Sequence, residues 1–151
     1  MYMRSLIFVL VLLAGLRAAA ASSIDSIRYD FKGIENFRRV FPDASIRQID
    51  RKGDIVSVRF YWAEHELEAW FDGKGQLIAT SGLIDSRVLP ISIQMGLRRE
   101  YEGFEVLQAR EFYHLEKGLS YYLIVKKREK ALILRADADG NLSVEKKLKE
   151  G

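Results

Sequence analysis

His65 lies among three glutamates, Glu64, Glu66 and Glu68, and imidazole and carboxylate groups are side chains that bind metal ions or transfer protons. Successive side chains of a β-strand point to opposite faces of the sheet, so Glu66 and Glu68 would diverge from His65. Diverging ligands cannot share an ion. The only other histidine is His114, and no phosphate-binding loop, nucleophile elbow or zinc-ligand spacing occurs. We therefore predict no catalytic residue, no metal and no cofactor, with a small hydrolase-type enzyme as the less favoured alternative.

The stretch DADGN, residues 137–141, resembles part of a calcium-binding EF-hand loop. If Asp137 and Asp139 occupied positions 3 and 5 of such a loop, positions 1 and 12 would be Arg135 and Lys146. Neither side chain supplies the oxygen ligand that those positions require. The sequence therefore favours a turn over a calcium site.

A turn of the same type occurs earlier in the chain. The segments WFDGKGQL, residues 70–77, and RADADGNL, residues 135–142, each place aspartate three residues before glycine, at a spacing of 65 residues. Aspartate at the first turn position can accept hydrogen bonds from local amides, and glycine at the fourth tolerates a left-handed backbone. Both segments therefore predict a three-residue hairpin loop with a glycine bulge.

The match between these two regions extends beyond the turns. Residues 55–62 (IVSVRFYW) and 67–72 (LEAWFD) share their apolar pattern with residues 120–127 (SYYLIVKK) and 132–137 (LILRAD), without a gap. Upstream of these segments the spacing becomes 60 residues, and the difference falls in a predicted hairpin, where insertions are tolerated. An internal repeat of this length indicates a duplicated supersecondary unit.

Each repeat is predicted to be one helix followed by a four-stranded antiparallel meander, which makes the fold class α+β. Repeat 1 spans residues 33–84 and repeat 2 spans residues 85–148, and together they form one domain. The predicted helices are 33–41 and 90–101, and the predicted strands are 45–51, 55–62, 66–72, 76–81, 105–114, 120–127, 131–137 and 141–146.

Strand register follows from a tight turn at residues 63–64, which pairs residues whose numbers add up to 127. Phe60 then lies opposite Leu67, and in repeat 2, where the pairs add up to 257, Leu123 lies opposite Leu134. These apolar pairs predict the core side of the sheet.

The opposite side of the sheet combines large aromatic side chains with arginines, which are typical of interface anchors. We predict that it binds a protein or peptide partner. The alternatives are that Trp70 and Tyr122 pack on the preceding segment or on Arg135, or that the other repeat closes the face. The candidate binding residues are Arg59, Tyr61, Glu68, Trp70, Tyr122, Ile124, Ile133 and Arg135.

The first 21 residues have the pattern of a secretory signal peptide: Arg4, the apolar run LIFVLVLL, and four alanines that suit signal peptidase. A retained anchor is disfavoured because the apolar run is shorter than the roughly 20 residues that span a bilayer, and Arg17 interrupts it. There is no cysteine for lipid attachment. We predict a periplasmic or secreted bacterial protein that does not insert into the membrane after cleavage, with residues 22–32 as a lead-in segment.

The charge of the chain does not indicate nucleic-acid binding. The formal net charge is +3, and subtracting Arg4 and Arg17 of the predicted signal peptide leaves +1. Glutamates interleave with the basic clusters at residues 126–128 and 146–149, so we predict a solvated hairpin tip and tail and no nucleic-acid partner.

Short motifs rich in aromatic residues, glycine and proline follow one another along residues 34–147. They are Phe37-x-x-x-Phe41-Pro42-Asp43-Ala44, Val58-x-Phe60, Phe71-Asp72-x-x-Gly75-x-Leu77-x-x-Thr80, Leu89-Pro90, Tyr101-x-Gly103-Phe104 and Asp137-x-Asp139-Gly140-x-Leu142. In this order they resemble the PepSY-like family, small exported Bacteroidota proteins related to the β-lactamase-inhibitor-like fold. The resemblance implies tandem units whose helices cover one face of the sheet, leaving the other face for a protein partner.

The sequence as a whole predicts an exported, non-catalytic binding module. An inhibitor and a sensor both fit this description, and the partner stays unidentified. A monomer is favoured over a homo-oligomer, and the alternative is a self-associating structural protein of the envelope.

Overall fold

Eight antiparallel strands form one sheet in which each strand pairs with its neighbours in the chain, from β1 to β8. The computed structural model describes residues 31–148. Helix α1, Ile34–Val40, precedes β1, and a 3₁₀ helix, Ser86–Val88, and helix α2, Ile91–Glu100, lie between β4 and β5. The fold is therefore α+β. The strands are β1 Ser45–Lys52, β2 Ile55–Trp62, β3 His65–Phe71, β4 Leu77–Ile84, β5 Glu105–His114, β6 Gly118–Lys127, β7 Lys130–Asp137 and β8 Leu142–Leu148.

The predicted signal peptide lies outside the described residues, as does the lead-in segment apart from Phe31 and Lys32. The ring of Phe31 packs against Phe71 with the two centroids 5.4 Å apart, so the end of the lead-in segment joins the core. No helix within residues 31–148 is long and apolar enough to cross a membrane.

The predicted helices and strands are present, with ends that differ by up to three residues. Strand β4 shows the largest difference, because it was predicted to end at Ser81 and continues to Ile84. Its last residues pair with β5, where Leu83 lies opposite Arg110 and Ile84 opposite Ala109. Pairing across the long β4–β5 connection therefore extends the strand.

The predicted register is confirmed in both halves of the sheet. Phe60 lies opposite Leu67 and Leu123 lies opposite Leu134. The turn at residues 63–64 has positive φ at both central positions, 48° and 67°. This backbone is that of a type I′ turn, whose twist matches the twist of the strands it joins.

Alternation along the strands gives the sheet two faces, which we name after a residue on each. The Phe60 face carries Val58, Phe60, Leu123 and Leu134, and the Trp70 face carries Arg59, Glu68, Trp70, Tyr122 and Arg135. The pairs Glu68–Ser81 and Ser81–Phe112 continue the Trp70 face from β3 to β5. Each face is thus continuous across both halves of the sheet.

Both helices contribute side chains to buried apolar clusters. Helix α1 packs Phe37 edge-on against Phe60, with ring centroids 4.9 Å apart. Helix α2 contributes Ile93 to the cluster that contains Leu123 and Leu134. Burial of these side chains is the main source of helix stability, because helices of 7 and 10 residues are marginal in isolation.

The two Asp-x-x-Gly turns form the predicted loop. The Asp72 carboxylate accepts hydrogen bonds from the amides of Lys74 and Gln76, at 2.9 and 2.8 Å. The Asp137 carboxylate accepts equivalent bonds from the amides of Asp139 and Asn141, both at 3.0 Å. The fourth residue of each turn is a glycine with positive φ, 83° for the first and 90° for the second.

Each of these turns packs tightly against the start of a helix, which explains why the motif occurs twice. A Cβ atom added to Gly75 would lie 2.6 Å from the carbonyl carbon of Lys32, and one added to Gly140 would lie 2.5 Å from the carbonyl oxygen of Ser92. The Ser92 hydroxyl also donates to the Ala138 carbonyl, at 2.9 Å. Glycine is needed at both positions because the backbone just before α1, in the first case, and of α2, in the second, leaves no space for a side chain.

Candidate functional site

The register places the eight predicted binding residues on the Trp70 face. Arg59 lies opposite Glu68 in the pair β2–β3, and Tyr122 lies opposite Arg135 in the pair β6–β7. The remaining four are Tyr61, Trp70, Ile124 and Ile133. The two halves of the sheet therefore bring residues about 65 positions apart onto one surface.

Four of these residues form a buried apolar cluster. Trp70, Tyr122, Ile124 and Ile133 belong to one cluster with Ala79 and Phe112. The ring of Phe112 lies between the two aromatic anchors, with its centroid 5.4 Å from Trp70 and 5.7 Å from Tyr122. Trp70 is 0% exposed. This part of the face is therefore a packed base and not a bare surface, and Trp70 of β3 packs against Phe112 of β5, in the other half of the sheet.

Beside this cluster lies a buried ion pair. Glu68, 2% exposed, has a carboxylate oxygen 3.5 Å from Nη1 of Arg110, which is also buried. Arg110 in addition donates to the Ser81 hydroxyl at 3.1 Å, and Ser57 hydrogen-bonds the carboxylate. The pair reaches across β4 and links β3 to β5.

Burial dominates the electrostatics of this pair. Loss of water raises the pKa of Glu68 above its ordinary value of 4.5, although Arg110 and Arg59 oppose the shift. The same effect lowers the pKa of Arg110, against the attraction of Glu68. The cause of both shifts is burial, because removing two charges from water is costly and a single contact of 3.5 Å offsets that cost only in part.

The Glu68 titration predicts a pH-dependent stability. Because the folded-state pKa is above the unfolded-state value, the folded chain holds this proton more tightly. The stabilising contribution of protonated Glu68 to the free energy of unfolding is fully present below pH 4.5. It declines as the pH rises through the folded-state pKa of Glu68. Glu68→Gln removes this titration, so the wild type should lose stability relative to the variant between pH 4.5 and neutrality. Urea unfolding at a series of pH values measures the difference, and a difference that stays constant would contradict the prediction.

Part of the Trp70 face stays accessible. Tyr61 in β2 and Leu83 in β4 are 44% and 49% exposed. Arg59 is half-buried and its Nη1 donates to Gln48 at 3.1 Å. Gln48 in turn donates to the Asp50 carboxylate at 2.7 Å. These residues form an amphipathic rim, made of Gln48, Asp50, Arg59, Tyr61 and Leu83, next to the packed base.

The residues considered for catalysis or metal binding do not form a cluster. His65 is exposed on β3, and the buried His114 accepts hydrogen bonds at Nδ1 from the amides of Glu116 and Lys117, at 3.1 and 3.3 Å. Within residues 31–148 there is no group of three or more histidine, aspartate or glutamate side chains that could hold a metal. The Asp137 carboxylate is engaged by local amides.

Sequence reasoning missed two prominent residues of the face, Arg110 and Phe112. Both lie on β5, whose register with β4 depends on a connection of about 20 residues that includes helix α2. Alternation along β5 could have placed Arg110, Phe112 and His114 on one side. It could not show that this side continues the Trp70 face.

The chain is thus an α+β protein with one eight-stranded antiparallel sheet. No family model and no curated protein matches the chain. Several solved structures do. A BLIP-like protein of Bacteroides fragilis has a TM-score of 0.69 at 19% identity, with 84% of this chain and 92% of that chain covered.

Two further structures show the same fold at lower identity. A predicted periplasmic protein of Bacteroides eggerthii has a TM-score of 0.68 at 11% identity, with 85% of this chain and 89% of that chain covered. A DUF2874 family protein of Bacteroides ovatus has a TM-score of 0.66 at 12% identity, with 83% and 89% covered. At these identities the similarity establishes the fold alone.

Proposed function

We propose that this protein is an exported, non-catalytic binding module that recognises a protein or peptide through the Trp70 face. The observation that carries this proposal is the accessible rim, where Tyr61, Leu83 and Arg59 lie beside the rigid Trp70–Phe112 base. Exposed aromatic and arginine side chains on a rigid support lose little conformational entropy on binding, which is why they dominate interface energies.

The fold comparisons support the same assignment. We infer that the chain is a BLIP-like protein of the PepSY-like kind and that it works in the periplasm or outside the cell. The support is that its structural neighbours include a BLIP-like protein and a predicted periplasmic protein. The absence of a cysteine is compatible with either location.

We also infer that the domain arose by duplication, with the two helices on the Phe60 face. Each half of the described chain has the order helix and four strands. The first strand of each half has a bulge, at Arg47 in β1 and at Leu107 in β5, and these positions are 60 residues apart, as the sequence repeat requires. Duplication doubles the width of the Trp70 face.

We favour a monomer because both edges of the sheet are poor templates for pairing. Strand β1 has a bulge at Arg47, and β8 carries Lys146 and Lys147 next to its own irregularity. Bulges and lysines on edge strands oppose pairing with another chain. Light scattering of the purified chain tests this, and a dimer would favour the self-associating alternative.

Export predicts a shortened chain. Cleavage after Ala20 or Ala21 should give a product that begins near Ala21 or Ser22, because the short apolar run is followed by small residues. Intact-mass measurement of the chain secreted from a bacterial host checks this. A mass that retains residues 1–16 would contradict export by this signal.

Partner binding can be tested with two matched tyrosines. A photo-crosslinking amino acid at position 61 should capture the partner from an envelope extract of the source organism. Tyr61→Ala should then weaken binding by more than about 1 kcal/mol in a calorimetric titration, since the side chain is an accessible anchor.

The control is Tyr113→Ala, because Tyr113 is similarly exposed, at 49%, but lies opposite Thr80 on the Phe60 face. This variant should bind normally. Equal losses in both variants, or a loss in Tyr113→Ala alone, would move the interface away from the Trp70 face. Trp70→Ala is unsuitable for this test because removing a fully buried tryptophan would destabilise the fold.

A further inference from the structure

Strand β4 contains a glycine that its backbone does not require. Gly82 lies opposite Leu67 of β3 and Glu111 of β5, and its φ is not positive. An added Cβ atom would meet only Cδ2 of Leu67, at 2.9 Å, and the end of a leucine side chain can move. Position 82 could therefore carry a larger residue. Glycine inside a strand often marks a place where a ligand approaches the backbone closely.

A groove lies beside Gly82 on the Phe60 face. Its volume is about 630 Å³, within the range of roughly 300–1,000 Å³ that is typical of small-molecule sites. Leu67, which lines it, packs against the cluster that contains Phe60. Ile84, which also lines it, packs against the cluster that contains Leu123. The groove therefore lies where the two cores of this face end.

The rings of Phe41, Trp62 and Tyr113 line the groove. Phe41 and Trp62 pack edge to face with their centroids 5.5 Å apart, and Nε1 of Trp62 donates to the Pro42 carbonyl at 2.8 Å. These contacts hold both rings in place. Tyr113 is 49% exposed, so its ring is accessible to a ligand. The faces of such rings attract organic cations.

The described residues that line the groove include one carboxylate, that of Glu111, and no lysine or arginine. Glu111 is exposed, and within residues 31–148 it makes no ion pair. Glu111 and Tyr113 are alternate residues of β5, so their side chains point to the same face. The imidazole of His65 also lines the groove. Negative charge among aromatic rings is complementary to a cation with an apolar body.

We propose that this groove binds a small organic ammonium ion. The apolar body of the ligand lies over Gly82 and against Leu67, and its ammonium group lies beside the Glu111 carboxylate and the Tyr113 ring. A metal ion needs several ligands from the protein, whereas one carboxylate with aromatic rings suits an ammonium group. The groove and the proposed partner surface are on opposite faces of the sheet, so this site does not depend on partner binding.

Calorimetric titration of the secreted chain, in the form that its intact mass defines, tests the proposal with three probes of similar shape. They are phenethylamine, which is protonated at neutral pH, the neutral phenethyl alcohol and the anionic hydrocinnamate. The amine should bind with a dissociation constant below roughly 1 mM, which is reasonable for so small a ligand. It should bind roughly tenfold more tightly than the alcohol, and the anion should bind most weakly.

Two substitutions separate the charge of the site from its shape. Glu111→Gln should lower the affinity for phenethylamine by roughly fivefold and reduce its advantage over the alcohol, because glutamine keeps the size and loses the charge. Gly82→Val should lower the affinities for the amine and the alcohol alike, by roughly tenfold, because the new side chain occupies the groove. Valine is itself favourable in strands.

The matched control is Glu105→Gln. Glu105 is also an exposed glutamate of β5 but does not line the groove, so this variant should bind phenethylamine like the wild type. Tyr61→Ala should do the same, because Tyr61 is on the Trp70 face. Circular dichroism confirms that each variant is folded.

Four results would overturn the proposal. The first is the absence of phenethylamine binding, and the second is equal affinity for the amine and the alcohol. The third is a Glu111→Gln variant that binds the amine like the wild type. The fourth is tighter binding of a capped lysine amide than of phenethylamine, which would assign the groove to a basic peptide. If Gly82→Val is unfolded, Glu111→Gln and the comparison of amine with alcohol decide.

Discussion

Replacement of Phe60 by alanine is expected to lower the free energy of unfolding by about 3–5 kcal/mol. Phe60 is fully buried, and its ring lies 4.9 Å from Phe37 and 4.6 Å from Phe41, measured between centroids. Alanine would leave a cavity between α1 and the sheet that these rings cannot fill. Urea or thermal unfolding measures the loss, which is large compared with a typical domain stability of about 5–15 kcal/mol.

The adjacent Tyr61→Ala is the internal control for this prediction. Tyr61 occupies the next position of the same strand and is 44% exposed on the opposite face. Its replacement should cost less than about 1 kcal/mol. If the two variants were equally unstable, the strand would be out of register by one residue and the two faces would be exchanged.

Gly140→Ala is expected to destabilise the protein by roughly 2–5 kcal/mol, because it combines a left-handed backbone with a backbone clash. The φ of Gly140 is 90°, and an added Cβ would lie 2.5 Å from the carbonyl oxygen and 2.6 Å from the carbonyl carbon of Ser92. Backbone atoms cannot rotate away as a side chain could. The turn would have to separate from helix α2.

Gly118→Ala isolates the contribution of the close contact. Gly118 has a similar φ, 78°, but an added Cβ would meet no atom within 4 Å. Its replacement should cost only the conformational penalty, roughly 1–2 kcal/mol. Thermal melts of the two variants give the comparison. Equal losses would mean that the turn moves freely relative to the helix. Close packing against the helix would then not explain the glycine at this turn position.

Register was predictable wherever a short turn joins two strands. A two-residue turn leaves a single pairing that keeps Phe60 and Leu67 on one side, and a slip by one residue would move every apolar side chain to the other face. The turn at residues 63–64 and its counterpart at 128–129 therefore determined the pairs of β2 with β3 and of β6 with β7.

The β4–β5 pairing was not predictable in this way. These strands are joined through helix α2, so their register depends on how the helix packs and not on a turn length. For this reason the continuation of β4 to Ile84 and the contact of Arg110 with Glu68 were missed. The sequence contains both charges but gives no distance between them.

Burial of the Trp70 face was also beyond sequence reasoning. Alternation assigned Trp70 and Ile133 to the correct face, but a pattern of side-chain directions cannot tell whether a face is covered. The packing of Phe112 between Trp70 and Tyr122 depends on the joining of strands β1–β4 and β5–β8 in one sheet. Tyr61, which is on the same face, stays exposed.

The chain order of the strands has a consequence for how the molecule folds. Since every strand pairs with its sequence neighbour, most contacts close short loops, which favours rapid folding. Within the described part of the chain, the cluster around Phe60 is built from residues 31–77. A chain that emerges with its N-terminus first, from a ribosome or a translocation channel, can therefore complete this core before residue 85 appears. The first half then offers the edge of β4 as a template on which β5 can be added.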